Sequence, residues 1–141
     1  MNFGEHLGVG FLISIIFMFI MHQLLGWFSI SLWPMLIYGI IIGIYSLLPD
    51  CDHPISKITW LLIGVSIVGL VLGYIIPAMV LLIGVFVATQ FAGHRGIIHS
   101  IPAGIVFAIP LYFSFGTQGA VLGFVAFYSH LIADGIPFKL S

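Results

Sequence analysis

The sequence predicts an all-α polytopic membrane protein: a six-helix transmembrane bundle in one domain over residues 1–141, with a polar site at one membrane face. Three observations predict it. The 141 residues are 62% hydrophobic and 5% charged, against roughly 25% charged in soluble domains, so lipid must solvate most of the surface. The apolar runs are continuous, whereas the strands of a membrane barrel alternate. Pro, Gly and Asp punctuate those runs at intervals close to the ~20 residues that a spanning helix needs.

The first span is predicted over residues 7–25. The segment Met1-Asn2-Phe3-Gly4-Glu5-His6 before it lacks the positive charge of a secretory signal, so the span is expected to be retained. The second covers residues 32–48, where Pro49 and Asp50 stop it. Residues 58–92 then run apolar for 35 residues without a charge, which is too long for one ordinary span. Gly73-Tyr74-Ile75-Ile76-Pro77 interrupts the run, and a break at Pro77 gives spans 58–76 and 78–91. The fifth and sixth spans, 101–115 and 119–136, are separated by Gly116-Thr117-Gln118. Pro102 and Pro110 are expected to kink the fifth.

Charge and cysteine content exclude some partners. A net charge of −1 leaves no basic patch for nucleic acid. The single cysteine, Cys51, excludes an intrachain disulfide.

With six spans, successive helix ends alternate between two faces, and the polar residues sort onto the face that holds the N-terminus. Glu5 and His6 start the first helix there. Asp50, Asp52, His53 and Lys57 follow the second, His94 and Arg95 end the fourth, and His99 and Ser100 begin the fifth. His130, Asp134 and Lys139 close the sixth. All seven charged residues and five of the six histidines share this face, and His22 alone lies on the other. Ionisable groups at membrane depth are costly and mark functional sites when they face the bundle interior. Lys57 and Lys139 are expected to be snorkelling anchors outside the site. The two aspartates have a solvated loop as their alternative role.

Imidazole and carboxylate together suit zinc, manganese or iron rather than magnesium or calcium. His130 and Asp134, four apart on a helix, stack on one face and can share an ion or form a ligand pair. Asp50 and Asp52 can point the same way if their loop is extended, with Cys51 turned away; a soft thiolate role for Cys51 is the weaker alternative. Arg95, between Gly93 and Gly96, can snorkel or present its fork to a phosphate. Ser100 can cap the fifth helix, bond a ligand histidine or contact substrate. A serine mechanism through Ser129, His130 and Asp134 is disfavoured, because adjacent helical residues point about 100° apart.

Leu48-Pro49-Asp50-Cys51-Asp52-His53-Pro54, His94-Arg95-Gly96-Ile97-Ile98-His99-Ser100 and Ser129-His130-Leu131-Ile132-Ala133-Asp134, with His6 ahead of them, resemble the motifs of the YdjM family of membrane-bound metal-dependent hydrolases over almost the whole chain. The resemblance implies recurrent polar positions at His6, Asp50, Asp52, His53, His94, Arg95, His99, Ser100, His130 and Asp134, together with a metal site. The pattern is loosely similar to that of zinc-dependent phospholipase C, which is soluble.

The expected function is hydrolysis of a phospholipid or related amphiphilic ester by metal-activated water. The ligand pool is Asp50, Asp52, His94, His99, His130 and Asp134, for one or two divalent transition ions, zinc favoured. His6 and His53 are ligands or acid–base groups, Arg95 an anion clamp, and Ser100 a further catalytic candidate. The alternatives are a metal or proton transporter or sensor using the same His/Asp set, and a scaffold stapled by a structural ion. Transport sites usually lie near the bilayer midplane, whereas these residues gather at one face. All three Lys/Arg residues lie on that face, which places the site and both termini on the cytoplasmic side of the cell membrane by the positive-inside rule.

Overall fold

The computed structural model describes residues 3–52, 57–91, 97–138 and 140, without the side chains of Phe3, Asp52, Ala88, Gln90, Phe91 and Ile97. Those residues form five α-helices and two 3-10 turns, with no strand among them. The helices are α1 (Phe3–Leu25), α2 (Leu32–Tyr45), α3 (Lys57–Val71), α4 (Ile75–Phe91) and α5 (Ile101–Ala133); the turns are Leu48–Asp52 and Ile97–His99. Residues 4–25 and 101–133 are long and apolar enough to cross a membrane, while α2, α3 and α4 are apolar but shorter.

The helix breaks show which local signals mattered. The turn between α3 and α4 falls at Gly73, whose φ of +86° only glycine takes readily. The expected break at Pro77 is corrected: Pro77 lies in the first turn of α4, where its missing N–H would have had no helical partner. Pro102 likewise does not kink a helix. It sits in the first turn of α5, after the N-cap Ser100.

Pro110 is inside α5, and one turn before it the Phe107 carbonyl accepts a 2.7 Å hydrogen bond from the buried Tyr45 hydroxyl. The break in α5 is at Gly116, which adopts φ 66° and ψ −165°. Its two arms fold back on each other. The Phe107 and Phe127 rings stack with centroids 6.3 Å apart, and a side chain at Gly104 would strike the Phe127 ring. Residues equidistant from Gly116 therefore face one another, so both ends of α5 reach the same end of the molecule.

The opposite end is tied by polar bonds. Gln118, two residues past the α5 turn, donates to the Trp27 carbonyl and accepts from the Tyr38 hydroxyl at 3.3 Å. His22 Nδ1 donates to the Phe28 carbonyl at 2.7 Å. Phe28 is buried against Phe17, Trp27 and Tyr38. The α3–α4 turn joins this end through the stacking of Tyr74 on Phe115.

The burial pattern inverts that of a soluble domain. Buried polar residues include His6, Ser14, Ser46, His99, Ser129 and His130, while Leu24, Leu32, Trp33, Val71 and Phe113 are each more than two-thirds exposed. Apolar side chains on this scale face outward without cost only in lipid.

Candidate metal centre

Five side chains from four segments converge at the end of the bundle that holds the start of α1. His6 stands in the first turns of α1. Asp50 lies in the turn after α2, where Ser46 continues the helix in αR conformation and the Asp50 N–H bonds to the Leu47 carbonyl at 3.1 Å. His99 ends the second 3-10 turn, held against α5 by the Ser100 cap, whose Oγ accepts from the Ala103 N–H at 3.4 Å. Asp134 is the C-cap of α5, one turn beyond His130. Gly135, at φ +73°, closes that end with bonds from Gly135 N to the Ile132 carbonyl and from Ile136 N to the Leu131 carbonyl. This is the glycine-terminated helix end that leaves the preceding residue free to face inward.

The distances between these groups suit metal ligation. His130 Nε2 is 3.4 Å from both Asp50 Oδ1 and Asp134 Oδ2. His99 Nε2 is 3.6 Å from Asp134 Oδ2 and 4.0 Å from Asp50 Oδ1, and His6 Nε2 is 3.5 Å from Asp134 Oδ1. Such separations exceed a good N–H···O bond of roughly 2.7–3.2 Å. They match the spacing of about 3.3 Å that two donors have when each lies about 2.0–2.1 Å from one tetrahedral ion.

A second observation agrees. Nε2 of His130 is wholly buried and makes no hydrogen bond, which is costly unless its lone pair meets a cation. Two groupings, His6–Asp50–His130 and His99–His130–Asp134, can each bring ligand atoms within 4.8 Å of one another. They share His130, whose Nδ1 is committed to the Ser46 carbonyl at 2.8 Å. With only Nε2 left, His130 can serve one ion, so the two groupings cannot both be filled through it at once.

The rings pack accordingly: His6 stacks on His130 at 4.0 Å, and His99 meets His130 edge-on at 5.4 Å. Exposure is uneven. The side chains of His6, His99, His130 and Asp134 are at most 6% exposed, and that of Asp50 is 26% exposed. Burial opposes ionisation of Asp50, but the imidazoles of His130, His6 and His99 around it outweigh that and hold the carboxyl below its usual range.

Other candidates fall differently. Leu48–Asp52 is a 3-10 turn rather than the extended loop on which a shared direction for Asp50 and Asp52 depended. Asp50 joins the cluster; the side chain of Asp52 lies outside the described residues, as do His53, His94 and Arg95. Cys51 is buried in that turn, where its carbonyl accepts from the Thr59 hydroxyl at 3.3 Å. Ser129 donates to the Ala126 carbonyl at 2.6 Å rather than facing His130 as a nucleophile.

Sequence reasoning missed the Ser46 carbonyl, since a backbone contact leaves no residue-type signal, and it missed Ser14, a fully buried hydroxyl without a hydrogen-bond partner. The spacing of His6, Gly10 and Ser14 at four-residue steps, one polar or small face along an otherwise apolar helix, was the available clue.

A family profile described as YdjM inner membrane protein matches residues 1–138. Comparisons with curated proteins and with solved structures give no match.

Proposed function

The chain belongs to the YdjM inner membrane protein family, and from that premise we propose that it is a membrane-embedded metal-dependent hydrolase acting on a phospholipid or related amphiphilic ester or phosphoester. The arms of α5 on either side of Gly116 count as separate crossings in this reading, giving six spans with the centre and both termini at the cytoplasmic face. Ligands drawn from His130, His99, His6 and Asp134 would hold one divalent transition ion, with Asp50 beside it, and zinc suits this nitrogen-rich set best. When bound, the ion supplies a water acidified toward neutral pH and polarises the ester or phosphoryl oxygen of the substrate.

The observation that carries the reading is the combination of ligand-like spacing with one open side. Four of the five side chains are sealed, and the fifth, Asp50, is a quarter exposed. A purely structural site closes on all sides, whereas a catalytic one keeps access for water and substrate. The chain's own residues then have distinct tasks. The Ser46 carbonyl orients His130, the Ser100 cap and Pro102 set the approach of His99, and the Gly135 turn sets Asp134. Asp50, ionised and facing the opening, is placed to take a proton from an approaching water. A headgroup-level site meets lipid substrates without extracting them from the bilayer.

The test is hydrolysis of a panel of phospholipids and lipid esters by purified protein in mixed micelles with added zinc or manganese, beside His130→Gln. Turnover that needs the metal and is lost in the variant is expected. Full metal loading without turnover on any ester or phosphoester, combined with metal uptake into proteoliposomes, would replace this reading with transport.

A further inference from the structure

We propose that Gly10 is a positioning residue for the metal centre. It lets α1 lie against the end of α2, so that the Ser46 carbonyl fixes the His130 imidazole with Nε2 turned into the cluster. The proposal rests on the metal reading of that cluster.

Gly10 lies one turn after His6 on the same face of α1. A Cβ on Gly10 would overlap the Ser46 Cβ, fall 2.9 Å from its Oγ and 3.4 Å from the Ser129 Oγ. The Ser46 Cβ is fixed to its backbone and cannot rotate away, so the end of α2 would have to retreat by about 1 Å to restore ordinary contact. That same residue carries the carbonyl 2.8 Å from His130 Nδ1, and a displacement of that size takes a hydrogen bond out of range. The Ser46 hydroxyl is engaged elsewhere, with the Gly43 carbonyl at 3.3 Å, so the carbonyl is the part that acts on the histidine.

The consequence is a choice of tautomer. A neutral imidazole that donates through Nδ1 has its lone pair on Nε2, the only form that can ligate through that atom. Two carboxylate oxygens lie 3.4 Å from Nε2, and without the carbonyl they draw the proton to Nε2 and block ligation. The Ser46 carbonyl decides against them, and Gly10 holds that carbonyl in place. Partners that orient a ligand histidine in this way typically change metal affinity about 10–100-fold when lost. Gly8, with nothing within 4 Å of an added Cβ, is the internal control.

The experiment uses full-length protein in detergent, labelled with ¹⁵N at histidine, as wild type, Gly8→Ala, Gly10→Ala, Ser46→Gly and the Gly10→Ala/Ser46→Gly pair. One readout is the His130 tautomer without metal, its signal assigned by loss in His130→Gln; the other is zinc affinity by chelator competition. Wild type and Gly8→Ala should show the Nδ1–H form and bind zinc alike, and Ser46→Gly is the reference against which the pair is read. Gly10→Ala should lose that tautomer and bind about 10–100-fold more weakly, and the pair, which removes the opposing Cβ, should recover both. Wild-type tautomer and affinity in Gly10→Ala would overturn the proposal, as would a folded pair that recovers neither. Should Gly10→Ala fail to fold, the pair decides the matter by the same two readouts. A wild-type protein with the Nδ1–H form that binds no zinc would instead remove the metal reading alone.

Discussion

Replacing Asp134 by Asn removes one charge from the centre while keeping its shape. Among the described residues, Asp134 is the carboxylate within 3.6 Å of all three clustered imidazoles, with Oδ1 toward His6 and Oδ2 toward His99 and His130. Its side chain is 6% exposed, so water cannot take its place. Removing one partner from a buried charge set costs about 3–5 kcal/mol, and about 1.4 kcal/mol corresponds to tenfold in Kd. Zinc affinity is therefore expected to fall roughly 10²–10⁴-fold. Asn retains an amide oxygen that can still ligate, which places it toward the lower figure and Asp134→Ala toward the upper. The assay is competition against a chelator of known affinity on detergent-purified protein, with metal content read by mass spectrometry. Circular dichroism and gel filtration confirm that the variant is folded. A folded Asp134→Asn protein that retains wild-type zinc affinity would refute the assignment, whatever its activity.

Three further outcomes are expected. His22→Ala should leave zinc affinity unchanged, because His22 bonds the Phe28 carbonyl at the far end of the bundle; the same competition assay checks it. Gly116→Ala should lower stability by about 1–3 kcal/mol, the cost of a side chain in a backbone region reserved for glycine, seen as a lower unfolding midpoint in detergent while the folded fraction keeps its zinc affinity. In metal-free protein, Asp50 contributes stability above the ordinary carboxylate pKa and loses it only as pH falls through its own depressed value. Acid unfolding followed by fluorescence should therefore become less pH-dependent in Asp50→Asn, and an unchanged acid limb would contradict the role given to His130 beside it.

The cluster was legible in the sequence because hydropathy counts spans and alternation assigns their ends. Alternation alone brings His6, Asp50, His99, His130 and Asp134 to one face, and the structure sets each imidazole 3.4–3.6 Å from a carboxylate oxygen. The separator Gly116-Thr117-Gln118 coincides with the non-helical residue of α5. Details that depend on backbone conformation were less visible. Pro77 looked like the stronger breaker, yet proline is harmless in a first turn and Gly73 made the turn through its positive φ. Asp50 and Asp52 could point the same way only if the Pro-Asp-Cys-Asp segment ran extended, and it is a 3-10 turn that brings Asp50 to the histidines. The contact between Gly10 and Ser46 was illegible because it joins residues 36 apart through close packing, a relation that neither composition nor periodicity records.

The reversal at Gly116 also fixes an order of assembly. The ribosome releases His6 and Asp50 long before His130 and Asp134, and early segments of a membrane chain settle while later ones are still being made. Until the second arm of α5 inserts and turns back, His6 and Asp50 face a gap where His130 and Asp134 belong. The centre is thus finished only once the second arm of α5 is in place. On the metal reading, an ion taken up then would bind only the closed form and shift the balance toward it, fastening the last arm to the first. A chain that stops before residue 130 lacks both His130 and Asp134, and with them this fastening.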